Sequence, residues 1–387
     1  VDRAKAFLTI YAAVVVSYLG VGLVAPLIAI VLEKHGESPF LIGLIGTTMF
    51  AAFTFASFPI GAMTDRVGPK PILIGGLIVY GASIALFAMI QETWLFFLAR
   101  AIEGVGAAAV SVAVETMISR MSEPHERARR MSYYALSVGL GWAAGPLTGT
   151  VLFDVRPWLP FIACFVFSMV SAILVAGFVP KTDSEIHHHE SLASGISLQM
   201  AVPMSAGALY GYLMSSLVTL IPIYMGNRGI EKTRMGVIIT AVIMGVLISQ
   251  VPLGKAADHF GKRKTLLFCT SILAVVFYVM AIYDDWRIFI VTGALAGALA
   301  GSLYPIGLAI IGGIVRKEKL GAANSLFSLC FGLGSLTGPA LSGYAMENFS
   351  DRWLFYLPAA LTAAFVTGFV AFYGKVAPRR RAAAQDT

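Results

Sequence analysis

Long apolar runs separated by short polar intervals dominate the pattern of the chain. Twelve such runs are read, over 6–32, 40–63, 70–91, 93–119, 131–153, 157–179, 199–226, 235–256, 265–283, 288–315, 320–346 and 353–374. A helix needs about 20 apolar residues to cross a bilayer, so each run predicts one crossing. Strands of a membrane barrel would be shorter and would alternate apolar with polar positions. The first run is well beyond the apolar core of a cleavable signal, so it is expected to stay in the membrane. The longest polar interval, Pro180 to Ser197, falls at the midpoint. It predicts a linker over 181–198 between a six-helix half at 1–180 and a second at 199–387.

Composition sharpens this picture. Of the 387 residues 58% are hydrophobic and only 13% charged, against about 25% in soluble domains. Among Lys and Arg, twenty fall in the loops and ends of one side, seven on the other, and Arg100 lies inside a span. That bias predicts both termini in the cytoplasm and a multi-pass protein of the cytoplasmic membrane. The net charge of +7 therefore reflects topology, and a nucleic-acid partner is not expected. Cys164, Cys269 and Cys330 all lie in apolar runs and read as small buried hydrophobes. His187, His188 and His189 read as a solvated run in the linker, without the carboxylate or Cys framework of a metal site. No cofactor or metal is expected, and no nucleotide-cradling loop or nucleophile-and-base arrangement points to an enzyme.

Shifting the sequence by 193 positions, without gaps, superposes Pro59, Gly61, Asp65 and Gly68 on Pro252, Gly254, Asp258 and Gly261. Gly104 falls on Gly297, and Gly139, Gly141, Gly145 and Pro146 fall on Gly332, Gly334, Gly338 and Pro339. The halves are duplicated. Six crossings per half is an even number, so both halves insert alike, as parallel repeats about an axis along the membrane normal with a central cavity between them.

Three motifs carry a resemblance. The loop after the second span holds Gly61, Asp65, Arg66, Gly68 and Lys70, repeated as Gly254, Asp258, Gly261 and Lys262. Span four reads Arg100-Ala-Ile-Glu103-Gly104, and span five carries Gly141, Gly145, Pro146 and Gly149, echoed by Gly338 and Pro339 in span eleven. Together they resemble the signature motifs of the major facilitator superfamily over the whole chain. The resemblance implies an all-α membrane fold of twelve transmembrane helices in two pseudo-twofold-related six-helix bundles, working by alternating access. It also implies a conformational gate at the first motif and, through the Gly-Pro motif, kinship with bacterial drug or metabolite exporters that exchange substrate for protons. Glycine is expected there where the chain turns tightly or helix backbones approach closely, and the Asp at the positive end of a neighbouring helix. Pro146 is expected to kink its helix. Pro69 stands where the family usually has a basic residue, and Glu103 where it usually has Gln.

Arg100, Glu103 and Glu115 are the charges read well inside a span, where an unpaired charge costs several kcal/mol. At about 100° per residue they share one polar face with Ser111, and Glu115 lies about 22 Å along the axis from Arg100. Arg100 and Glu103 are spaced to pair. Glu103 then either anchors Arg100 structurally or adds a proton site; Glu115 either couples protons or anchors the helix at the interface. Tyr11, Tyr18, Tyr210, Gln250, Tyr304 and Asn324 are the candidate cavity-lining groups, with interhelical packing as the competing role. The chain is expected to act as a monomer on a small-molecule substrate, most simply as a proton-coupled exporter of organic or amphiphilic molecules. A facilitator or symporter for sugar, organic anion or lipid, with Arg100 on the anion, is the first alternative; a non-transporting sensor or scaffold is the second.

Overall fold

The structure, a computed structural model, describes residues 3–123, 126–180, 200–315 and 320–383. The interval 181–198, with its three histidines, lies outside the described residues. Among those described there are fourteen helices: α1 (Arg3–Val24), α2 (Leu27–Lys34), α3 (Pro39–Val67), α4 (Pro69–Leu86), α5 (Thr93–Met121), α6 (Arg127–Val155), α7 (Leu159–Phe178), α8 (Ala201–Gly226), α9 (Lys232–Phe260), α10 (Lys262–Ile282), α11 (Trp286–Gly301), α12 (Leu303–Ile314), α13 (Leu320–Asn348) and α14 (Trp353–Ala383). They make twelve spans, because α1 with α2 and α11 with α12 are each one broken crossing. The first break falls at Pro26, which has no N–H for the Gly22 carbonyl; the second falls at Ser302, where Pro305 likewise deprives Gly301. Neither break was expected from the apolar runs. Conversely, α6 and α13 run unbroken through Pro146 and Pro339.

Helix ends follow local chemistry. Ser38 caps α3 by accepting the Leu41 N–H at 3.3 Å, with Pro39 in the first turn. Asp285 caps α11 by accepting the Arg287 N–H at 2.9 Å. Gly68 (φ 90°) and Gly261 (φ 95°) make the sharp turns from α3 to α4 and from α9 to α10, in backbone that only glycine adopts freely. Gly61 and Gly254 are different: a Cβ on either would meet nothing within 4 Å. The close helix approach expected at those two positions is absent.

The internal repeat is a packing repeat. A Cβ on Gly104 would strike the carbonyl oxygen of Met49, and one on Gly297 would strike that of Val242, the residue 193 positions beyond Met49. Likewise Gly141 faces the Val15 carbonyl and Gly334 that of Ala208. The Gly-Pro helix α6 therefore packs on α1 as α13 packs on α8, with glycine admitting backbone contact in both. The two halves, α1–α7 and α8–α14, meet along matched lines. Gly43 of α3 lies against the Pro339 carbonyl of α13, while Gly236 of α9 would place a Cβ 3.0 Å from the Pro146 carbonyl of α6.

These approaches lie toward the face opposite the basic loops. There Gly343 meets Pro39 and Phe40, Phe40 N–H donates to Glu347 at 3.1 Å, and Lys232 donates to Asp154 at 2.7 Å. Along α3 and α9 the close contacts reach about midway, to Thr54 against Gly332 and Leu247 against Gly139.

Candidate functional site

A cavity of about 410 Å³ lies between the halves. Its walls come from α1, α5 and α6 on one side and from α8 to α11 on the other, and most are apolar: Val138, Met214, Leu217, Ile243 and Phe277 are typical. Pro26 and Ala25, at the break of the first crossing, also line it. Among the described residues of the wall, Glu115 alone carries a charge.

Glu115 is set in a short polar strip of the N-terminal half. One helical turn before it, Ser111 donates a hydrogen bond to its carboxylate at 3.1 Å. Tyr134 of α6 and Tyr18 of α1 bring their hydroxyls to the same wall. Tyr210 and Gln250 contribute polar groups from the C-terminal half. Trp142 completes the N-terminal wall, and its indole N–H has no partner among the described residues. The strip thus offers one exposed carboxylate, several hydroxyls and an aromatic face in an otherwise greasy chamber. Such a chamber suits an amphiphile, and its acid can hold or release a proton according to access.

The remaining span-four charges are elsewhere. Arg100 donates to Glu103 at 2.9 Å, and their side chains are only 11% and 4% exposed. The guanidinium lies over the Phe87 ring, 5.8 Å from its centre. The pair is sealed inside the N-terminal half rather than on the cavity face with Ser111 and Glu115, which corrects the single polar face expected of the helix. A face about 120° wide, the arc from Glu103 to Glu115, is broad enough for its two edges to meet different neighbours.

The other candidates divide as well. Tyr18, Tyr210 and Gln250 line the cavity. Tyr11 does not: its hydroxyl donates to the Arg130 carbonyl at 3.1 Å and its ring packs on Phe7 and Tyr133. Tyr304 stands one layer back, against Tyr210, Phe327 and Phe331. Asn324 is exposed near the start of α13, outside the wall. Ser111 shares the Glu115 face, as helical spacing predicts, whereas no sequence pattern distinguishes Tyr134 or Trp142. Adjacent Tyr133 and Tyr134 differ by one residue, and sequence gives no sign of which one turns inward.

At the first motif, Asp65 stands at the end of α3, in its last turn. It accepts from Arg120 at 2.7 Å, in the last turn of α5, because α3 and α5 end side by side. Lys70 donates to the carbonyls of Ala176 and Val179, at 2.8 and 2.6 Å, where its charge complements the C-terminal end of α7. In the second copy Lys262 donates to the Ala309 carbonyl at 3.0 Å. Arg66 is exposed.

Comparison with known proteins agrees with this architecture. The chain matches the Major Facilitator Superfamily over residues 10–198 and 203–386. An uncharacterized MFS-type transporter of Bacillus subtilis, YfkF, is 30% identical over 342 residues, which cover 87% of either chain. Among solved structures, the nucleoside transporter NupG superposes with a TM-score of 0.81 at 11% identity, over 95% of this chain and 99% of that one. A bacterial homologue of the human lysosomal transporter Spinster, in an inward-facing and unoccupied conformation, gives 0.73 at 13% identity, over 95% and 92%. With twelve spans, duplicated halves around a central cavity and a family match along nearly the whole length, the chain belongs to the Major Facilitator Superfamily of membrane transporters.

Proposed function

We propose that the protein is a secondary transporter that exports small organic or amphiphilic molecules across the cytoplasmic membrane in exchange for protons. The observation that carries this reading is Glu115, the one charge among the described residues in the wall of the apolar cavity between the halves. Alternating access would present its carboxylate to each compartment in turn, binding a proton on one side and releasing it on the other. Both termini are assigned to the cytoplasm, because the loops on their side hold most of the Lys and Arg. On that assignment the halves are closed toward the outside, and the cavity awaits substrate from within.

An anion facilitator built on Arg100 has lost its main support, since Arg100 is spent on Glu103 away from the cavity. Proteoliposomes loaded with the fluorescent amphiphile ethidium test the choice. An imposed proton gradient is expected to drive the dye against its own gradient, with proton movement in the opposite direction. Gradient-independent equilibration would instead identify a facilitator. Neither transport nor ligand-induced thermal stabilisation across a panel of amphiphiles would identify a scaffold.

A further inference from the structure

Asp154 and Glu347 are 193 positions apart, the offset of the internal repeat. Asp154 lies in the last turn of α6 and Glu347 in the last turn of α13. Each crosses the boundary between the halves to the first turn of a helix on the far side. Asp154 accepts from Nζ of Lys232, the first residue of α9, at 2.7 Å. Glu347 accepts from the backbone N–H of Phe40, the second residue of α3, at 3.1 Å. Pro39, which opens α3, is the repeat mate of Lys232. The same pair of helix ends is therefore bridged twice, with different donors: an ammonium in one copy and an unpaired amide at a positive helix end in the other.

The surroundings explain why the second copy manages without a lysine. Gly343, one turn before Glu347, lets α13 lie directly on Pro39 and Phe40. That approach brings the carboxylate within reach of the helix amides. In the first copy the repeat mate of Gly343 is Thr150, whose side chain meets Gly236, and a long lysine reaches the acid instead. Lys34 and Lys232 both lie over the Phe153 ring, 5.1 and 5.2 Å from its centre, so the ring next to Asp154 in sequence holds two cations.

We propose that the Asp154–Lys232 and Glu347–Phe40 contacts are a matched pair of latches that hold the face opposite the basic loops shut and set how often the cavity opens there. The acids are well exposed, and exposed charge contacts are individually weak. Weak contacts suit a gate that must open in every cycle. The inference rests on the alternating-access reading only for the existence of the second opening.

The test uses the full chain with Cys164, Cys269 and Cys330 replaced and Ala25→Cys added in the cavity wall. A membrane-impermeant maleimide is applied from either face of sealed vesicles. Asp154→Asn and Glu347→Ala are each expected to speed labelling from the latched face about two- to fivefold, and the double variant by roughly the product. Labelling from the basic face should not rise, whereas misfolding would raise both. Exchanging the charges, Asp154→Lys with Lys232→Asp, should bring the rate back toward the parent's. Asp154 is the position to change, because it is the acid that the repeat matches to Glu347. A parent that labels measurably from the latched face, with a double variant no faster, overturns the latches alone. No labelling from that face in any variant overturns the latches and alternating access together.

Discussion

Arg100 and Glu103 form a 2.9 Å ion pair within one half of the transporter, shielded from the cavity that holds Glu115. Two acids on one helix thus have different environments. A buried charge that loses its partner costs about 3–5 kcal/mol. Glu103→Ala should therefore lower thermal stability in detergent by that order, and the double variant Arg100→Met/Glu103→Leu should recover most of it. Equal stability of Glu103→Ala and the parent would show that the pair is not the structural element inferred.

Glycines of the same motif set should differ sharply in tolerance. Gly141→Ala drives a methyl into the Val15 carbonyl and Gly334→Ala into that of Ala208. Overpacking of this kind costs about 1–3 kcal/mol. Gly61→Ala and Gly254→Ala meet open space and should leave the unfolding temperature nearly unchanged. Thermal unfolding of the four purified variants checks the ordering.

Asp284, in the loop between α10 and α11, gives a pH dependence. Partial burial alone would raise its pKa. Arg228 at 2.5 Å, the Tyr224 hydroxyl at 3.1 Å and the charge of Arg352 at 2.9 Å outweigh that and hold the carboxyl below its ordinary value. A depressed folded-state pKa adds stability that is fully present above the unfolded value, about 3.9, and fades as pH falls through the folded one. Asp284→Asn should thus be less stable than the parent at pH 7, and the two unfolding curves should converge below about pH 4. A difference that persists unchanged into acid would rule out this origin.

Neutralising Asp65 probes the gating loop. Its partner Arg120 is 8% exposed, so Asp65→Asn takes a charged acceptor away from a largely buried cation. Stability is expected to fall by about 1–3 kcal/mol, more than for Arg66→Gln, whose side chain is exposed. Unfolding measurements on the two variants distinguish them.

Much of this was legible in the chain because sterics leave few options. Twelve apolar runs became twelve crossings, and the 193-residue offset appeared as matched backbone contacts at Gly104 and Gly297 and at Gly141 and Gly334. Gly68 and Gly261 could be placed from sequence since their turns demand positive φ. The site was less legible. A helical wheel gives the direction of Glu103 relative to Glu115 but not which neighbour each direction meets. The break at Ser302 and the inward turn of Tyr134 depend on packing across the bundle. Tyr11 fails as a cavity residue because the Arg130 carbonyl, distant in sequence, takes its hydroxyl.

The central claim, that Glu115 couples proton binding to the opening of the cavity, is tested most directly without any substrate. Labelling of Ala25→Cys from each face is followed from mildly acid to mildly alkaline pH in the parent, in Glu115→Gln and in Arg100→Met/Glu103→Leu. The account expects a pH-dependent exchange between the two faces in the parent and the Arg100/Glu103 variant, and a flat response in Glu115→Gln. An undiminished pH dependence in Glu115→Gln would contradict it.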